Sequence, residues 1–174
     1  SLHEAQQQAG AISPDVETDA PVALHFGDPA AEYQTAKNEC ALFDLSDRTQ
    51  IEITGKDRVA FLHNFCTNDI KKIKPGEGCE AFITNIKGRV LGHLFVFVEV
   101  DAIWLETVPH AAGPLLGHLG KYVLAEDAEL NDRTGAYGEL FISGPQASEK
   151  LMPLISNAAS FGQQGHGMMK WNEI

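Results

Sequence analysis

Three extended, apolar-rich runs follow one another between Cys79 and Val108, and they constrain the fold more than any other feature of the sequence. The runs are CEAFITNI, RVLGHLFVFVEV and AIWLETV, and only short links separate them. Parallel strands need a long crossover, whereas antiparallel strands can follow a tight turn. The sequence therefore predicts an antiparallel three-stranded meander, with one turn at Lys87-Gly88 and another near Asp101.

Helical signals stand on both sides of this meander. Asp28 is a natural N-cap and Pro29 suits the first helical position, which predicts a helix from there to about Glu39. The run IEITG predicts a strand, and the apolar spacing after it becomes helical. A further helix is expected after Pro109. Helices mixed with an antiparallel meander favour an α+β fold, with the helices on one face of each sheet.

The chain also shows a weak internal similarity. ITGKDRVAFL, which begins at Ile53, aligns without a gap with ISGPQASEKL, which begins at Ile142. This predicts a duplicated strand-helix-meander-helix repeat, the first over about 22–125 and the start of the second over about 135–174. Because few residues follow Leu151, we expect the second repeat to be truncated. Strands without partners leave open sheet edges, which favours a homo-oligomer formed through them.

Composition limits the class of protein. The chain has 174 residues, of which 44% are hydrophobic, and this suits one globular domain over 22–174. Residues 1–21 carry acids and glutamines without Lys or Arg, so we expect a loosely ordered acidic segment there. The net charge of −11 argues against nucleic acid as a partner.

Neither a membrane span nor a metal site is expected. The longest nearly uncharged apolar run, Val90–Val98, is about half of what a spanning helix needs. The three cysteines, Cys40, Cys66 and Cys79, form no C-x-x-C pair, so we expect reduced thiols and a cytoplasmic protein. His110 and His118 are eight residues apart on a predicted helix, and the sequence places no acidic third metal ligand beside them.

Several short motifs occur in a fixed order between Gly27 and Gln146. They are Gly27-Asp28, Ala41-Leu42-Phe43-Asp44-Leu45-Ser46, the Ile-Thr-Gly strand end, Thr67-Asn68-Asp69-Ile70, Asn85-x-x-Gly88-Arg89 and Ile142-Ser143-Gly144-Pro145-Gln146. Together they resemble the N-terminal part of the glycine-cleavage T-protein superfamily, which includes the YgfZ-type proteins linked to iron–sulfur enzyme maintenance. The resemblance implies two intertwined repeats that bind tetrahydrofolate between them.

The resemblance also implies where chemistry is expected. In the family's aminomethyltransferases, an Asp-Asp pair follows the hairpin, and a carboxylate there assists one-carbon transfer. Alignment through Asn85 and Gly88 puts that pair at Gly92-His93, which contains no carboxylate. A carboxylate there would handle protons and stabilise the developing cation, and a protonated histidine has the wrong charge for the second task. We therefore assign no catalytic residue.

Five residues are candidates for contact with the folate cofactor: Asn85, Arg89, His93, Glu106 and Val108. Each also has a purely structural interpretation. Asn85 can secure the hairpin by bonding nearby backbone, and His93 can be a strand residue on the polar side of a half-buried sheet. The Lys-Gly-Arg turn that contains Arg89 resembles YgfZ-like members, although their hallmark cysteine motif does not occur in this sequence.

Three functions follow from the sequence. The first is a tetrahydrofolate-binding protein that supports iron–sulfur proteins and has lost aminomethyl transfer. The second is an aminomethyltransferase or other one-carbon transferase in which His93 contributes. The third is an interaction domain without a ligand, which bulky side chains filling the pocket would favour.

Overall fold

The structure is a computed structural model that describes residues 2–13, 22–151 and 153. These residues divide into two compact units. Among the described residues, unit 1 combines those up to Asp47 with those from Gly135 to 153, and unit 2 holds Arg48–Thr134. The segment boundaries expected from the sequence stay predictions.

The elements are listed here in chain order. They are α1 (Leu2–Gln8), α2 (Pro29–Asn38), β1 (Ala41–Asp44), β2 (Thr49–Thr54), α3 (Arg58–His63), β3 (Gly78–Thr84), β4 (Val90–Val98), β5 (Ile103–Thr107), α4 (Ala112–Leu119), β6 (Glu129–Asp132), β7 (Leu140–Ser143) and α5 (Ala147–Leu151), with 3₁₀ turns at Ile70–Lys72 and Gly120–Tyr122. No helix among them is long and apolar enough to cross a membrane. Helices and antiparallel sheets occur together, as the α+β prediction requires.

Unit 2 is built on a five-stranded antiparallel sheet in the order β3-β4-β5-β2-β6. The predicted meander is present as β3-β4-β5. One face of the sheet is buried with residues of α3 and α4 in the hydrophobic core. Its members include Ile51, Ile53, Phe61, Leu62, Ala81, Ile83, Leu94, Val96, Ile103, Leu105, Leu115 and Leu119. Full burial of one such side chain contributes about 1.5–3 kcal/mol to the free energy of folding. This core therefore stabilises the sheet that carries the candidate site.

Unit 1 contains α1, α2, α5 and a two-stranded ribbon of β1 and β7. Asp28 caps α2 as expected, because its Oδ1 accepts bonds from the N–H groups of Ala30 and Ala31 at 3.0 and 3.1 Å. Phe43 and Phe141 are register partners in the ribbon, with ring centroids 5.9 Å apart.

Some elements differ from the sequence expectations. Helix α1 lies within the segment expected to be loosely ordered. Strands β1 and β6 were not predicted, because four-residue strands carry little alternation and each pairs with a strand far away in the chain. Helix α4 begins three residues after Pro109, since Gly113-Pro114 discourages an earlier start.

The two similar sequence segments adopt the same local geometry. Gly55 and Gly144 each end a strand with positive φ, at +96° and +118°. Two residues after each glycine, an N–H donates to a backbone carbonyl at 2.9 Å: Asp57 to Asp127 in unit 2, and Gln146 to Glu39 in unit 1. The strand, glycine and helix therefore recur, while duplication of the whole repeat stays a prediction.

Candidate functional site

The five-stranded sheet presents one buried face and one face rich in aromatic and ionisable side chains. Along β4, Leu94, Val96 and Val98 are buried, whereas His93, Phe95 and Phe97 alternate with them and are only partly covered. Register then places neighbours from β3 and β5 beside these residues. We call this surface the aromatic face, and it consists of Glu80, Phe82, His93, Phe95, Phe97, Trp104 and Glu106.

His93 lies at one end of the aromatic face and is held by several contacts. Its ring lies beside Phe82 and Phe95, with centroids 5.1 and 5.3 Å away. Its Nε2 lies 2.6 Å from Oε1 of Glu80. The hydroxyl of Thr107 donates to the His93 carbonyl at 2.6 Å, which ties β4 to β5 at this point. His93 is therefore oriented, yet 38% of its side chain stays exposed.

Gly92 faces the opposite side of the sheet. A Cβ built at this position would lie 3.0 Å from Cδ2 of Leu115, a fully buried residue of α4. A larger side chain would have to displace that leucine. The absence of a side chain here thus has a packing reason, and residues 92 and 93 do not point toward the same ligand.

Glu106 is buried on the aromatic face and forms an ion pair with Arg48. The carboxylate is 8% exposed and the guanidinium 23%. A buried carboxylate requires such a partner, because removing it from water uncompensated is costly. Since Arg48 already neutralises Glu106, the more exposed Glu80 is the carboxylate that is accessible to a ligand.

The other three candidate residues lie in two places. Val108 follows β5 and is 54% exposed; continuing the β4–β5 register places it opposite His93. Asn85 and Arg89 belong to the β3–β4 turn. Oδ1 of Asn85 accepts bonds from the N–H groups of Lys87 and Arg89 at 2.9 and 3.0 Å. His93, Glu106 and Val108 therefore share a face, while Asn85 stabilises the hairpin.

Sequence reasoning missed most of the aromatic face. It did not single out Arg48, Glu80, Phe82, Phe95 or Trp104. Period-two alternation in the first and second runs, combined with a hairpin at Lys87-Gly88, would have placed Phe82 opposite His93. The partnership of Glu106 with Arg48 had no such signal, because it depends on β2 lying beside β5.

Several other reactive groups lie elsewhere in unit 2. Burial raises the pKa of the Cys66 thiol to about 12, and nearby Cys79 adds to this effect. The His118 ring packs edge-on against Phe65 and Tyr122, at 6.3 and 5.4 Å. Among the described residues, no three His, Cys, Asp or Glu side chains are grouped so that they could hold a metal ion.

Comparison with known proteins gives a consistent result. The GCVT N-terminal domain family matches residues 2–174. An aminomethyltransferase of Thermoanaerobacter pseudethanolicus is 29% identical over 136 residues, which cover 75% of this chain and 36% of that protein. An aminomethyltransferase of Deinococcus deserti is 26% identical over 156 residues, covering 88% of this chain and 43% of the relative.

A solved structure shows the same fold. The glycine cleavage system aminomethyltransferase T from Bartonella henselae superposes with a TM-score of 0.72 at 20% identity, over 87% of this chain and 42% of that one. Strand topology and this superposition thus define an α+β domain with the fold of that structure. The chain belongs to the GCVT N-terminal domain family, and it spans about two fifths of the length of these relatives.

Proposed function

We propose that this chain binds a tetrahydrofolate-type ligand on the aromatic face of unit 2. The observation that carries the proposal is an exposed carboxylate, Glu80, held next to the Phe82, His93 and Phe95 rings. Membership of a folate-dependent family supplies the ligand class. The residue roles rest on the chemistry of the side chains present.

The side chains fit such a ligand. A pterin is flat and has N–H donors along one edge, so it requires an aromatic surface for stacking and an acceptor for its donors. Phe82 and Phe95 offer ring surface, and Glu80 is an acceptor that is 54% exposed. Val108 adds apolar contact beside His93. When bound, the folate would supply the carrier for a one-carbon group.

We infer that aminomethyl transfer is not the main activity. Position 92 has no side chain and faces Leu115, so it supplies neither a negative charge nor a proton acceptor to the aromatic face. Support of iron–sulfur proteins by a cytoplasmic folate-binding protein is the role that the YgfZ-like resemblance favours. It forms part of the same proposal.

One-carbon transfer is the second candidate, and the Glu80–His93 contact favours it. A carboxylate that accepts a bond from one imidazole nitrogen leaves the other nitrogen as a proton acceptor in the neutral ring. Proton transfer from a bound ligand to His93 would then form an imidazolium that Glu80 stabilises. In this way Glu80 and His93 would replace the proton handling that is missing at position 92.

Calorimetric titration with 5-formyltetrahydrofolate under reducing conditions tests the proposal. We expect saturable micromolar binding that weakens at least tenfold in Glu80→Gln and in His93→Ala. Lys87→Ala, in the exposed hairpin turn of the same sheet, is the matched control and should bind like the parent chain. No binding by a folded chain would refute the proposal and favour an interaction domain without a ligand.

The second candidate requires a separate assay. Incubation with tetrahydrofolate and a methylamine-type donor should give turnover that His93→Ala abolishes and Glu80→Gln reduces. If folate binds and neither variant changes a measurable rate of turnover, the folate-binding proposal is retained and the proposal of acid–base chemistry at His93 is refuted.

A further inference from the structure

The row of side chains that β5 contributes to the hydrophobic core ends in a polar residue. Ile103 and Leu105 are fully buried, and Thr107, the next residue on the same face, is 1% exposed. Its register partner on β2 is Thr49, which is also fully buried and lies on the same face as Ile51. Valine has nearly the same shape and no polar group to satisfy, so a buried threonine is expected to use its hydroxyl in a hydrogen bond.

The two threonine hydroxyl groups bond different elements. The Thr107 hydroxyl donates to the carbonyl of His93 in β4 at 2.6 Å. The Thr49 hydroxyl accepts the N–H of Ala111, the residue before α4, at 3.0 Å. Each threonine therefore fixes the backbone of one neighbouring element. Of the two, Thr107 is the one that acts on a residue of the aromatic face.

His93 lies in a stretch of β4 where strand pairing is irregular on one edge and ends on the other. The β3–β4 register shifts between Ile83 and Thr84, and such an irregularity disrupts the ladder locally. The β4–β5 register ends at Phe95, two residues before His93. The Thr107 hydroxyl therefore supplies the link between His93 and β5 at a point that the ladder does not reach.

We propose that Thr107 is a positioning residue for the candidate folate site, an inference that rests on the proposed function. Its bond fixes the peptide plane that follows His93, and with it the direction of the His93 Cα–Cβ bond. Contacts with Phe82, Phe95 and Glu80 then orient the imidazole ring. Without the hydroxyl, the His93 backbone is left with its pairing to Phe82 of β3, and the imidazole loses its fixed place beside the Glu80 carboxylate.

Proton–nitrogen correlation spectra of the imidazole groups test the positioning without any ligand. The His93 signals are identified by their loss in His93→Ala. We expect them to move in Thr107→Val and to stay at the parent positions in Thr107→Ser, which keeps the hydroxyl. Thr49→Val is the matched control, because it removes an equally buried hydroxyl that bonds Ala111, and it should leave the His93 signals in place. Unchanged His93 signals in Thr107→Val, or equal shifts in Thr49→Val, would overturn the proposal.

Calorimetric titration with 5-formyltetrahydrofolate separates positioning from a general loss of stability. Thr107→Val should weaken binding about three- to tenfold, the range expected for the loss of one hydrogen bond. In the His93→Ala background, the same change should leave the affinity unaltered, because no imidazole remains to be positioned. Equal weakening of binding in both backgrounds would show a general effect on the sheet and overturn the proposal.

The two measurements distinguish failure of this inference from failure of the proposed function. If the parent chain binds no folate, the proposed function fails and the role of Thr107 in binding fails with it, while the spectra still decide whether Thr107 positions His93. Thr107→Ala keeps the test decisive if Thr107→Val does not fold, because it removes the hydroxyl and adds no atom to the core. The His93 signals should move in this variant too, and unchanged signals would overturn the proposal.

Discussion

Replacing Gly55 with alanine should be among the most destabilising single-methyl changes in unit 2. Its φ is +96°, a conformation that costs a residue with a Cβ about 1–2 kcal/mol. The new Cβ would also lie 2.2 Å from the carbonyl oxygen of Asp127, far inside van der Waals contact. That carbonyl accepts the N–H of Asp57, so the backbone cannot relax without weakening this bond.

The expected loss exceeds the strain of positive φ alone. Overpacking against fixed backbone costs about 1–3 kcal/mol, and a weakened hydrogen bond adds about 1 kcal/mol. Gly55→Ala should therefore lower the free energy of unfolding by about 3–6 kcal/mol. Gly76→Ala is the matched control, because its φ is +87° and no atom lies within 4 Å of the added Cβ. It should cost only the conformational strain, about 1–2 kcal/mol.

Urea unfolding followed by far-ultraviolet circular dichroism measures both variants. A midpoint much lower for Gly55→Ala than for Gly76→Ala, at equal slope, would agree with the close approach to Asp127. Equal losses would show that only positive φ matters and that this contact is absent in solution.

Three further predictions concern unit 2. Arg48→Met should lower the free energy of unfolding by about 2–4 kcal/mol, because Glu106 is left buried without its partner. The double variant Arg48→Met with Glu106→Gln should recover part of that loss. If urea unfolding showed that the losses of the two single variants add, the ion pair would be contradicted. Burial raises the pKa of Cys66 from 9.0 to about 12, so the unfolded thiol ionises first and stability falls as pH rises above 9. In Cys66→Ala, the fall in the free energy of unfolding above pH 9 should be less steep, by up to about 1.4 kcal/mol per pH unit. Parallel plots of this free energy against pH for the parent and the variant would contradict the prediction. Asn85→Ala should cost about 1–2 kcal/mol, whereas Asn85→Asp keeps the acceptor and should cost less; equal losses would argue against the two turn bonds.

Local signals in the sequence were sufficient for the meander of unit 2 and for the start of α2 in unit 1. The meander followed from short links between extended runs, and the start of α2 followed from Asp28 and Pro29. These features depend on neighbours in the chain, which is why pattern reasoning reached them. The family resemblance that the motifs predicted is confirmed by the match over residues 2–174.

Features that depend on distant pairing were out of reach. Strand β2 lies between β5 and β6, and no local pattern specifies that order. The Arg48–Glu106 pair follows from this order and was missed with it. Gly92 and His93 were treated as one motif, although strand alternation sends them to opposite faces. The folate contacts of His93, Glu106 and Val108 stay predictions.

The interleaved pairing of early and late strands has a consequence for the order of events during synthesis. Ala41 pairs with Ser143, about a hundred residues later in the chain. Strand β2 can pair with β5 first and gains its second partner only when β6 is made. As the ribosome extends the chain, β3, β4 and β5 can pair with near neighbours soon after they emerge, whereas β1 must stay unpaired until β7 is made. Closing so long a loop is entropically costly and slows folding. The nascent chain therefore exposes Leu42 and Phe43 longest, and these residues are the expected contact for a chaperone that binds apolar extended segments.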